Sequence, residues 1–223
     1  MQRTRTALIA GASGLVGGHC LRLLLNSDRY DQVISIGRRE LPMIHPKLDQ
    51  QVIDFDNLKK YRMEMVADDV FCCLGTTIKK AGSKEAFTRV DYTYVTQLAE
   101  ITANKGASQF LVISSMGADP GSLFFYNRTK GKMEEDIKKF GFETVHIIRP
   151  SLLLGEREEQ RTGEEIASKI MKPISSLMIG PLEKYKPIQA ATVAQAMVNL
   201  AAQDKKGIHL HLSDDLEELG NKK

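Results

Sequence analysis

Two side chains have the types and the spacing of an acid–base pair. Tyr126 and Lys130 are four residues apart in the stretch YNRTK, so in a helix they lie on one face, about one turn apart. A free tyrosine has a pKa of about 10 and exchanges protons poorly near neutral pH. A nearby ammonium group favours the phenolate and brings the tyrosine toward its working range. The pair therefore predicts proton transfer to or from a substrate.

Two serines precede this pair at the end of an apolar run. The stretch QFLVISS (109–115) predicts a strand with Ser114 and Ser115 at its tip. Because side chains alternate along a strand, only one of the two hydroxyls can face the same site as Tyr126. We favour Ser115, whose hydroxyl would hold a carbonyl oxygen. The Tyr-x-x-x-Lys spacing also arises by chance, so the interpretation of this pair as catalytic needs a cofactor site nearby.

The stretch LIAGASGLVGGHCLRLLL predicts such a site. An apolar strand-like run meets a set of glycines, and a run with helical periodicity follows. Gly11, Gly14 and Gly17 fit the pattern G-x-x-G-x-x-G, a variant of the G-x-G-x-x-G dinucleotide fingerprint. Glycines there allow a tight turn and close approach of a phosphate, while the helix N-terminus offers N–H groups and a positive dipole end.

The second predicted strand ends in two arginines, which bear on the choice of cofactor. Sites selective for NAD usually carry an acidic residue near this position, whereas this chain has Arg38 and Arg39. Guanidinium groups can pair with a 2′-phosphate and stack on adenine, so we expect NADP(H) to be preferred over NAD(H). Pairing with Glu40 is the alternative. Asp54, which ends the third predicted strand, could accept a hydrogen bond from adenine or serve as a surface turn residue.

Strand and helix patterns alternate along the chain. The predicted strands cover residues 6–10, 32–37, 51–54, 69–75, 109–115, 144–150 and 208–212. The predicted helices cover residues 15–25, 83–104, 127–140 and about 190–202. This alternation predicts an α/β fold with a doubly wound parallel sheet, the dinucleotide-binding Rossmann arrangement. We expect a single domain over residues 1–223, with a small substrate-site or lid segment at 151–187.

Composition and charge narrow the kinds of partner that the protein could bind and the cellular compartments in which it could lie. The net charge is +3 and basic residues are spread along the chain, which argues against nucleic acid. No apolar stretch approaches the roughly 20 residues of a membrane span, and the apolar run near the N-terminus is short, so we expect a cytoplasmic protein. Cys20, Cys72 and Cys73 predict buried thiols instead of a disulfide framework or a zinc site. No histidine spacing predicts a metal ligand set.

Several short motifs, taken together and in order, resemble one superfamily. They are LIAGASG, IGRRE, VFCCLGTT, FTRVDYTYV, ISSMGAD, YNRTKGKMEE and RPSLLLGEREEQRTGE, and they run from residue 8 to about 165. Each motif is modest, but the ordered set resembles the short-chain dehydrogenase/reductase superfamily in its extended or atypical branch.

The resemblance implies residue roles. Tyr126 would donate or accept the substrate proton, and Lys130 would hold the nicotinamide ribose and promote ionisation of the tyrosine. It also implies cofactor contacts along the chain: the pyrophosphate would meet Ser13, Gly14, Leu15 and Val16, the 2′-phosphate would meet Arg38 and Arg39, the ribose would meet Leu74 and Gly75, and the outer side would meet Leu153 and Arg161. This chain has Asp91 in the fourth helix, where many members carry asparagine.

Three functions are compatible with these motifs. The first is an NADPH-dependent oxidoreductase that acts on a small carbonyl or alcohol compound. The second is an NADPH-binding regulatory or assembly protein with little or no turnover. The third is a nucleotide-sugar epimerase or dehydratase, although the segment after Pro150 is short for a sugar-nucleotide domain. The sequence leaves the substrate and the oligomeric state open.

Overall fold

Seven parallel strands form the central sheet of the protein, whose computed structural model describes residues 5–155 and 185–222. The strands are β1 Arg5–Ala10, β2 Tyr30–Gly37, β3 Leu48–Val52, β4 Asp69–Cys72, β5 Gln109–Ile113, β6 Thr144–Ile148 and β9 Gly207–His211. Their order is β3-β2-β1-β4-β5-β6-β9, and every neighbouring pair is parallel. The chain begins in the middle of the sheet and winds outward in both directions, which confirms the doubly wound prediction.

Helices connect the strands and cover both faces. They are α1 Leu15–Asn26, α2 Ile78–Ala81, α3 Lys84–Thr88, α4 Tyr94–Asn104, α5 Phe125–Ile137, α6 Ala190–Ala202 and α7 Ser213–Asn221. A 3-10 helix spans Phe55–Tyr61 and a π-helical turn spans Arg89–Thr93. The helix predicted at 83–104 therefore contains a π turn between α3 and α4, and α7 was not predicted. Two short strands, β7 Leu153–Leu154 and β8 Ile188–Gln189, form a separate sheet.

The alternation of side chains along β1 explains why the sheet has two hydrophobic layers. Ala7 and Ile9 join a cluster with α1 and α6, whereas Leu8 and Ala10 join a cluster with α4 and α5. All four residues are fully buried. A strand that is covered on both faces needs a continuous apolar run, which is why TALIA was readable as a strand from the sequence.

Several predicted strand boundaries are wrong, those of β3, β4 and β5 among them. β4 ends at Cys72 and β5 ends at Ile113, short of the predicted Gly75 and Ser115. The residues that directly follow these two strands stay partly buried, so the apolar pattern continues after the strand pairing stops. β3 begins at Leu48 and ends before Asp54, because this edge strand is only half-buried and its polar residues hide it from a search for apolar runs.

The three cysteines lie in the core or next to it. Cys20 and Cys72 are buried, Cys73 is half-buried just past the end of β4, and all three are free thiols. In the described ranges, no helix is long and apolar enough to cross a membrane, and no group of three or more acidic, histidine or cysteine side chains is arranged to hold a metal ion.

A charged cluster joins three strands at the amino edge of the sheet. Asp69 on β4 is fully buried and pairs with Arg5 on β1. The Tyr30 hydroxyl on β2 donates to the same carboxylate at 2.7 Å, and Arg29 Nε lies 3.4 Å from it. Arg29 also pairs with Asp204. We call Arg5, Arg29, Tyr30 and Asp69 the amino-edge cluster. It satisfies a buried carboxylate on the edge opposite the glycine turn.

Three histidines lie between β6 and the edge strand β9. His146 is buried, its Nδ1 lies 3.1 Å from His211 Nε2, and its ring stacks on His209 with centroids 5.2 Å apart. Burial, together with the neighbouring His211 and His209, lowers the pKa of His146 to about 3. The folded protein therefore keeps this imidazole neutral in mildly acidic solution.

We expect this histidine to make the protein sensitive to acid. Below the unfolded pKa of about 6.5 the unfolded chain takes up a proton that folded His146 does not, so stability falls as the pH decreases from about 6.5 toward 3, by up to about 1.4 kcal/mol per pH unit. Urea unfolding of wild type and His146→Gln above and below that pKa measures the loss. The variant should lose part of the pH dependence, while His45→Gln should keep it. Identical pH dependence in wild type and His146→Gln would contradict the assignment.

Candidate cofactor and active site

The predicted site residues meet at the carboxyl edge of the sheet. Gly11 follows β1, Arg38 follows β2, Leu74 follows β4, and Ser114 follows β5. In a parallel sheet these ends share one edge, and the strand order reverses between β1 and β4, which is where open α/β sheets bind ligands. The topology therefore gathers residues that are far apart in the sequence.

Backbone crowding explains two of the three glycines in the turn. Gly11 has φ +87°, and a Cβ there would lie 2.6 Å from the carbonyl oxygen of Cys73. A Cβ on Gly17 would lie 2.2 Å from the carbonyl oxygen of Gly11. The Gly14 amide donates to that same oxygen at 2.9 Å. The turn is thus packed directly on the residue that follows β4 and on the first turn of α1, with no room for a side chain at Gly11 or Gly17.

The first turn of α1 is open to a ligand. Within the described residues, no side chain caps it and no acidic residue lies in it. Ser13 is exposed and Leu15 is half-buried, whereas the Val16 side chain is buried in the core. Amide groups at a helix N-terminus attract anions. Because its side chain is buried, Val16 can offer a ligand only its backbone amide. Leu153 belongs to β7, and Gly155 directly follows that strand. Gly155 lies close to Leu15, since a Cβ on Gly155 would be 2.9 Å from Leu15 Cδ1.

Arg38 and Arg39 are exposed on the bend after β2. Neither forms an ion pair within the part of the chain that the structure describes, so pairing with Glu40 is not observed. Asp54 lies exposed on the surface just after β3, which agrees with the second of its two expected roles, a surface turn residue. It caps the 3-10 helix, accepting from the Asp56 amide at 3.0 Å and from the Asn57 side chain at 2.6 Å. These two hydrogen bonds, that of Asn57 first, lower the pKa of Asp54.

Lys130 is buried on α5 and is held by an acidic partner. Its Nζ lies 2.8 Å from Asp91 Oδ1 and donates to the carbonyl oxygen of Ile113 at 3.3 Å. Burial works to lower the pKa of Lys130, but the negative charge of Asp91 and the interaction with Tyr126 outweigh it, so the net shift is upward. Tyr126 is half-buried, with its ring centroid 5.2 Å from that of Phe87. The structure thus places Tyr126 and Lys130 within electrostatic reach of each other.

Asp91 also fixes the loop after β4. It is fully buried in the π turn, and its Oδ2 accepts a hydrogen bond from the Thr76 amide at 2.8 Å. A Cβ on Gly75 would lie 3.4 Å from Asp91 Oδ1 and 3.8 Å from Lys130 Nζ. The loop Leu74–Thr76 therefore lies over the ion pair. The sequence marked Asp91 only as a departure from the superfamily pattern and did not predict this contact.

The two serines have different surroundings. The Ser114 hydroxyl donates to the buried carboxylate of Glu134, which Arg149 pairs through two hydrogen bonds of 2.9 and 2.5 Å. The Ser115 Oγ is buried and has no hydrogen-bond partner among the described residues. Ser114 is thus part of a structural network, whereas the Ser115 hydroxyl is available. The network of Ser114, Glu134 and Arg149 was not predicted from the sequence.

Some predicted residues cannot be compared with the structure. Arg161 lies outside the described residues, as does most of the segment 151–187 that was expected to shape the substrate site. A cavity of about 670 Å³ lies elsewhere, lined by residues of the helices before β5 together with Phe125. None of its lining residues is a predicted site residue, so we assign the site from the placement of the chemical groups and not from cavity size.

Solved structures of known proteins share this fold. The chain superimposes on the Bordetella bronchiseptica enzyme WbmH in complex with NAD+ with a TM-score of 0.72, at 16% identity, covering 98% of this chain and 80% of that one. At this identity the likeness shows the fold, and it agrees with the predicted Rossmann arrangement.

Sequence relatives correct one expectation. The rat protein HTATIP2 is 36% identical over 201 residues, covering 88% of this chain and 81% of its own length. The Candida albicans protein FMP52 is 32% identical over 221 residues, covering 96% and 94%. The names of the Candida albicans FMP52 and of its counterparts from Debaryomyces hansenii and Saccharomyces cerevisiae call those proteins mitochondrial. The expectation of a cytoplasmic protein is therefore wrong, because a short apolar run near the N-terminus says nothing about import into an organelle.

The relatives agree with a wider family pattern. A profile described as NAD(P)H-binding matches residues 11–204, which begins at the first glycine of the turn and extends past α6. The match covers most of the chain and includes every site residue discussed above. Together with the sheet order and the crowded glycine turn, it shows that the chain belongs to this NAD(P)H-binding family.

Proposed function

We propose that the protein is an NADPH-dependent oxidoreductase that interconverts a carbonyl compound and an alcohol. The observation that carries the proposal is the buried Lys130 next to Tyr126 at the same sheet edge as the glycine turn. A protein that only bound a dinucleotide would need the turn but not a tyrosine paired with a buried lysine. The names of the relatives do not state an activity, so the proposal stands on the site.

The residues at the sheet edge fit a dinucleotide. The glycine turn has no space for a Cβ at Gly11 or Gly17, so the backbone is bare where a phosphate would approach. The first turn of α1 would hold the pyrophosphate, and Arg38 and Arg39 would hold a 2′-phosphate. When bound, the nicotinamide supplies or accepts the hydride.

The protein's own groups then manage the proton. Tyr126 donates its proton to the substrate oxygen in reduction and accepts it in oxidation. Lys130 stabilises negative charge on the tyrosine oxygen and can donate hydrogen bonds to ribose hydroxyls. The Ser115 hydroxyl can donate to the substrate oxygen and so orient the carbonyl group. Its lack of a partner among the described residues supports this role, because a buried hydroxyl without one is costly.

Removing both arginines should change the choice of cofactor. We expect the Arg38→Ala/Arg39→Ala variant to bind NADPH at least tenfold more weakly, about 1.4 kcal/mol, with little change for NADH. Fluorescence titration with each nucleotide measures the effect. Arg62→Ala, which removes an exposed arginine elsewhere, is the control and should leave both affinities unchanged. Equal NADPH affinity in wild type and the double variant would exclude the arginines from the 2′-phosphate site.

Removing the Tyr126 hydroxyl should abolish most turnover. Phenylalanine keeps the ring packing against Phe87 but cannot transfer a proton, so turnover in a screen of carbonyl compounds with NADPH should fall about 100- to 10,000-fold. Tyr94→Phe, whose hydroxyl donates to Asp56 on the outer face, should keep full activity. Unchanged turnover in Tyr126→Phe would exclude the acid–base role. NADPH binding without turnover in any protein of the series would instead favour a regulatory or assembly role.

A further inference from the structure

The last strand of the central sheet, β9, has an open outer side. Within the described part of the chain it is hydrogen-bonded to a single strand, β6. The Gly207 amide and the His211 carbonyl oxygen each form a hydrogen bond of 2.9 Å with a residue that directly flanks β6. Because backbone groups alternate along a strand, the amide and carbonyl groups of Ile208 and Leu210 point away from β6. β9 therefore presents backbone donors and acceptors that the described residues do not use.

The side chains at this outer side are apolar and partly exposed. Ile208 is paired with Val145 and Leu210 with Ile147 in the register of β9 on β6. Val145 and Ile147 are buried in the cluster with α4 and α5, whereas Ile208 and Leu210 are 53% and 43% exposed. Edge strands are usually protected by lysine, proline or a bulge. β9 contains no lysine or proline and its register is regular, so it lacks these protections.

Charges of opposite sign flank the two ends of β9. They are exposed, and they are Lys205 and Lys206 before the strand and Asp214 and Asp215 after it. Lys206 pairs with Glu143 on the surface, but the other three form no ion pair with any described residue. Asp204, which precedes the lysines, is already paired with Arg29. Two such strands side by side in the same direction would bring like charges together, whereas in opposite directions the basic end of each meets the acidic end of the other.

We propose that β9 pairs antiparallel with β9 of a second copy of this chain, which gives a twofold-symmetric dimer with one continuous sheet. The pairing that overlaps the whole strand sets Ile208 opposite Leu210 of the second copy. Both residues have outward backbone groups, and residues that face each other in this way exchange two hydrogen bonds. Their side chains lie on one face of the sheet, so the exposed apolar groups of the two copies cover each other.

The size of the contact determines how the dimer should behave. β9 has five residues, so the interface is small and we expect a weak dimer that forms as the protein concentration rises. The inference goes beyond the proposed function and does not depend on it, since no nucleotide or substrate takes part. The average mass in sedimentation equilibrium, measured from about 1 to about 500 µM, should rise toward twice the 24.9 kDa of one chain.

Amide hydrogen exchange of the wild type locates the interface. Exchange is measured residue by residue at about 20 µM and about 500 µM, since pairing protects amides that are otherwise open to water. The amides of Ile208 and Leu210 should exchange at least about tenfold more slowly at the higher concentration. The amide of His209, which points toward β6, should be slow at both. The amide of Val52 on the other edge strand, β3, should exchange at the same rate at both.

Substitutions test the apolar contact. Ile208→Lys sets a charge in the middle of the pairing and should weaken the dimer at least about tenfold. Val52→Lys is the matched control, because Val52 is 52% exposed on β3, and it should leave the dimer unchanged.

A second pair of variants tests the charges at the ends of the strand. Lys205→Glu/Lys206→Glu should weaken the dimer, because both ends become acidic. Adding Asp214→Lys/Asp215→Lys to that variant should restore the dimer, because the ends again have opposite signs.

Three results would overturn the proposal. The first is a chain that stays monomeric over the whole concentration range. The second is protection of the Ile208 and Leu210 amides at both concentrations, which would mean that another part of the same chain covers β9. The third is a dimer that Ile208→Lys does not weaken, which would place the contact elsewhere. If Ile208→Lys does not fold, the exchange data of the wild type decide alone.

Discussion

Replacing Gly17 with alanine should abolish NAD(P)H binding and lower the free energy of unfolding by about 1–3 kcal/mol. The added methyl group would lie 2.2 Å from the Gly11 carbonyl oxygen, 2.8 Å from the Gly11 carbonyl carbon and 3.0 Å from Ala12 Cα. All three atoms belong to the backbone and cannot rotate away. Relief of the clash requires α1 to move off the turn, and this movement displaces the amide groups that would hold the pyrophosphate.

The neighbouring glycine is a matched control for this change. A Cβ on Gly18 would lie 3.4 Å from the Ala12 carbonyl oxygen, an ordinary contact. Gly18→Ala should therefore keep NAD(P)H binding and raise the stability by up to about 1 kcal/mol, because alanine favours the helix. Nucleotide titration and urea unfolding of both variants decide the matter. If Gly17→Ala binds NADPH as tightly as Gly18→Ala does, the turn is not the phosphate site.

Replacing Arg149 with methionine should destabilise the protein by about 3–5 kcal/mol, the usual cost of breaking a buried ion pair from one side. Glu134 is 1% exposed, and its two oxygens accept from Arg149 at 2.9 and 2.5 Å. Without the guanidinium, the carboxylate keeps the Ser114 hydroxyl as its partner in this network. One neutral hydrogen bond does not compensate a buried negative charge.

The control for this prediction is an ion pair on the surface of the same helix. Lys138 pairs with Glu135 at 2.7 Å, and their side chains are 31% and 50% exposed. Lys138→Met should therefore cost no more than about 1 kcal/mol. The double variant Glu134→Leu/Arg149→Met should recover much of the stability lost in the single variant, because it removes the orphaned charge. An equal loss in Arg149→Met and Lys138→Met on urea unfolding would contradict the structural role of the pair.

The fold was predictable from the sequence because buried parallel strands leave a strong pattern. TALIA and TVHII consist mostly of apolar residues, since each strand is covered on both faces. The helix at 190–202 was predicted with the bounds that the structure shows. β3 was harder to place, because an edge strand with half-buried polar residues has no distinctive periodicity.

The residue types of the site were predictable from the sequence, but the contacts between these residues were less so. Glycine spacing located the turn, and helical spacing paired Tyr126 with Lys130. The surroundings of Ser114 and Asp91 depend on residues 20 and 39 positions away, Glu134 and Lys130, which the fold brings together. No local pattern encodes such contacts. Of the two roles expected for Asp54, the structure shows the surface turn residue, which caps the 3-10 helix after β3.

The amino-edge cluster suggests how this architecture can change over evolution. Buried Asp69 with Arg5, Arg29 and Tyr30 ties three strands together at the edge farthest from the chemistry. Exposed loop residues at the carboxyl edge, such as Arg38 and Arg39, take no part in this cluster, so they can vary without loosening it. Substitutions at the two edges should have different effects in living cells. Those in the cluster should reduce the amount of folded protein. Those at exposed loop positions should change ligand binding without changing the amount of protein. Relatives with the same scaffold can thus diverge in specificity at little cost to folding.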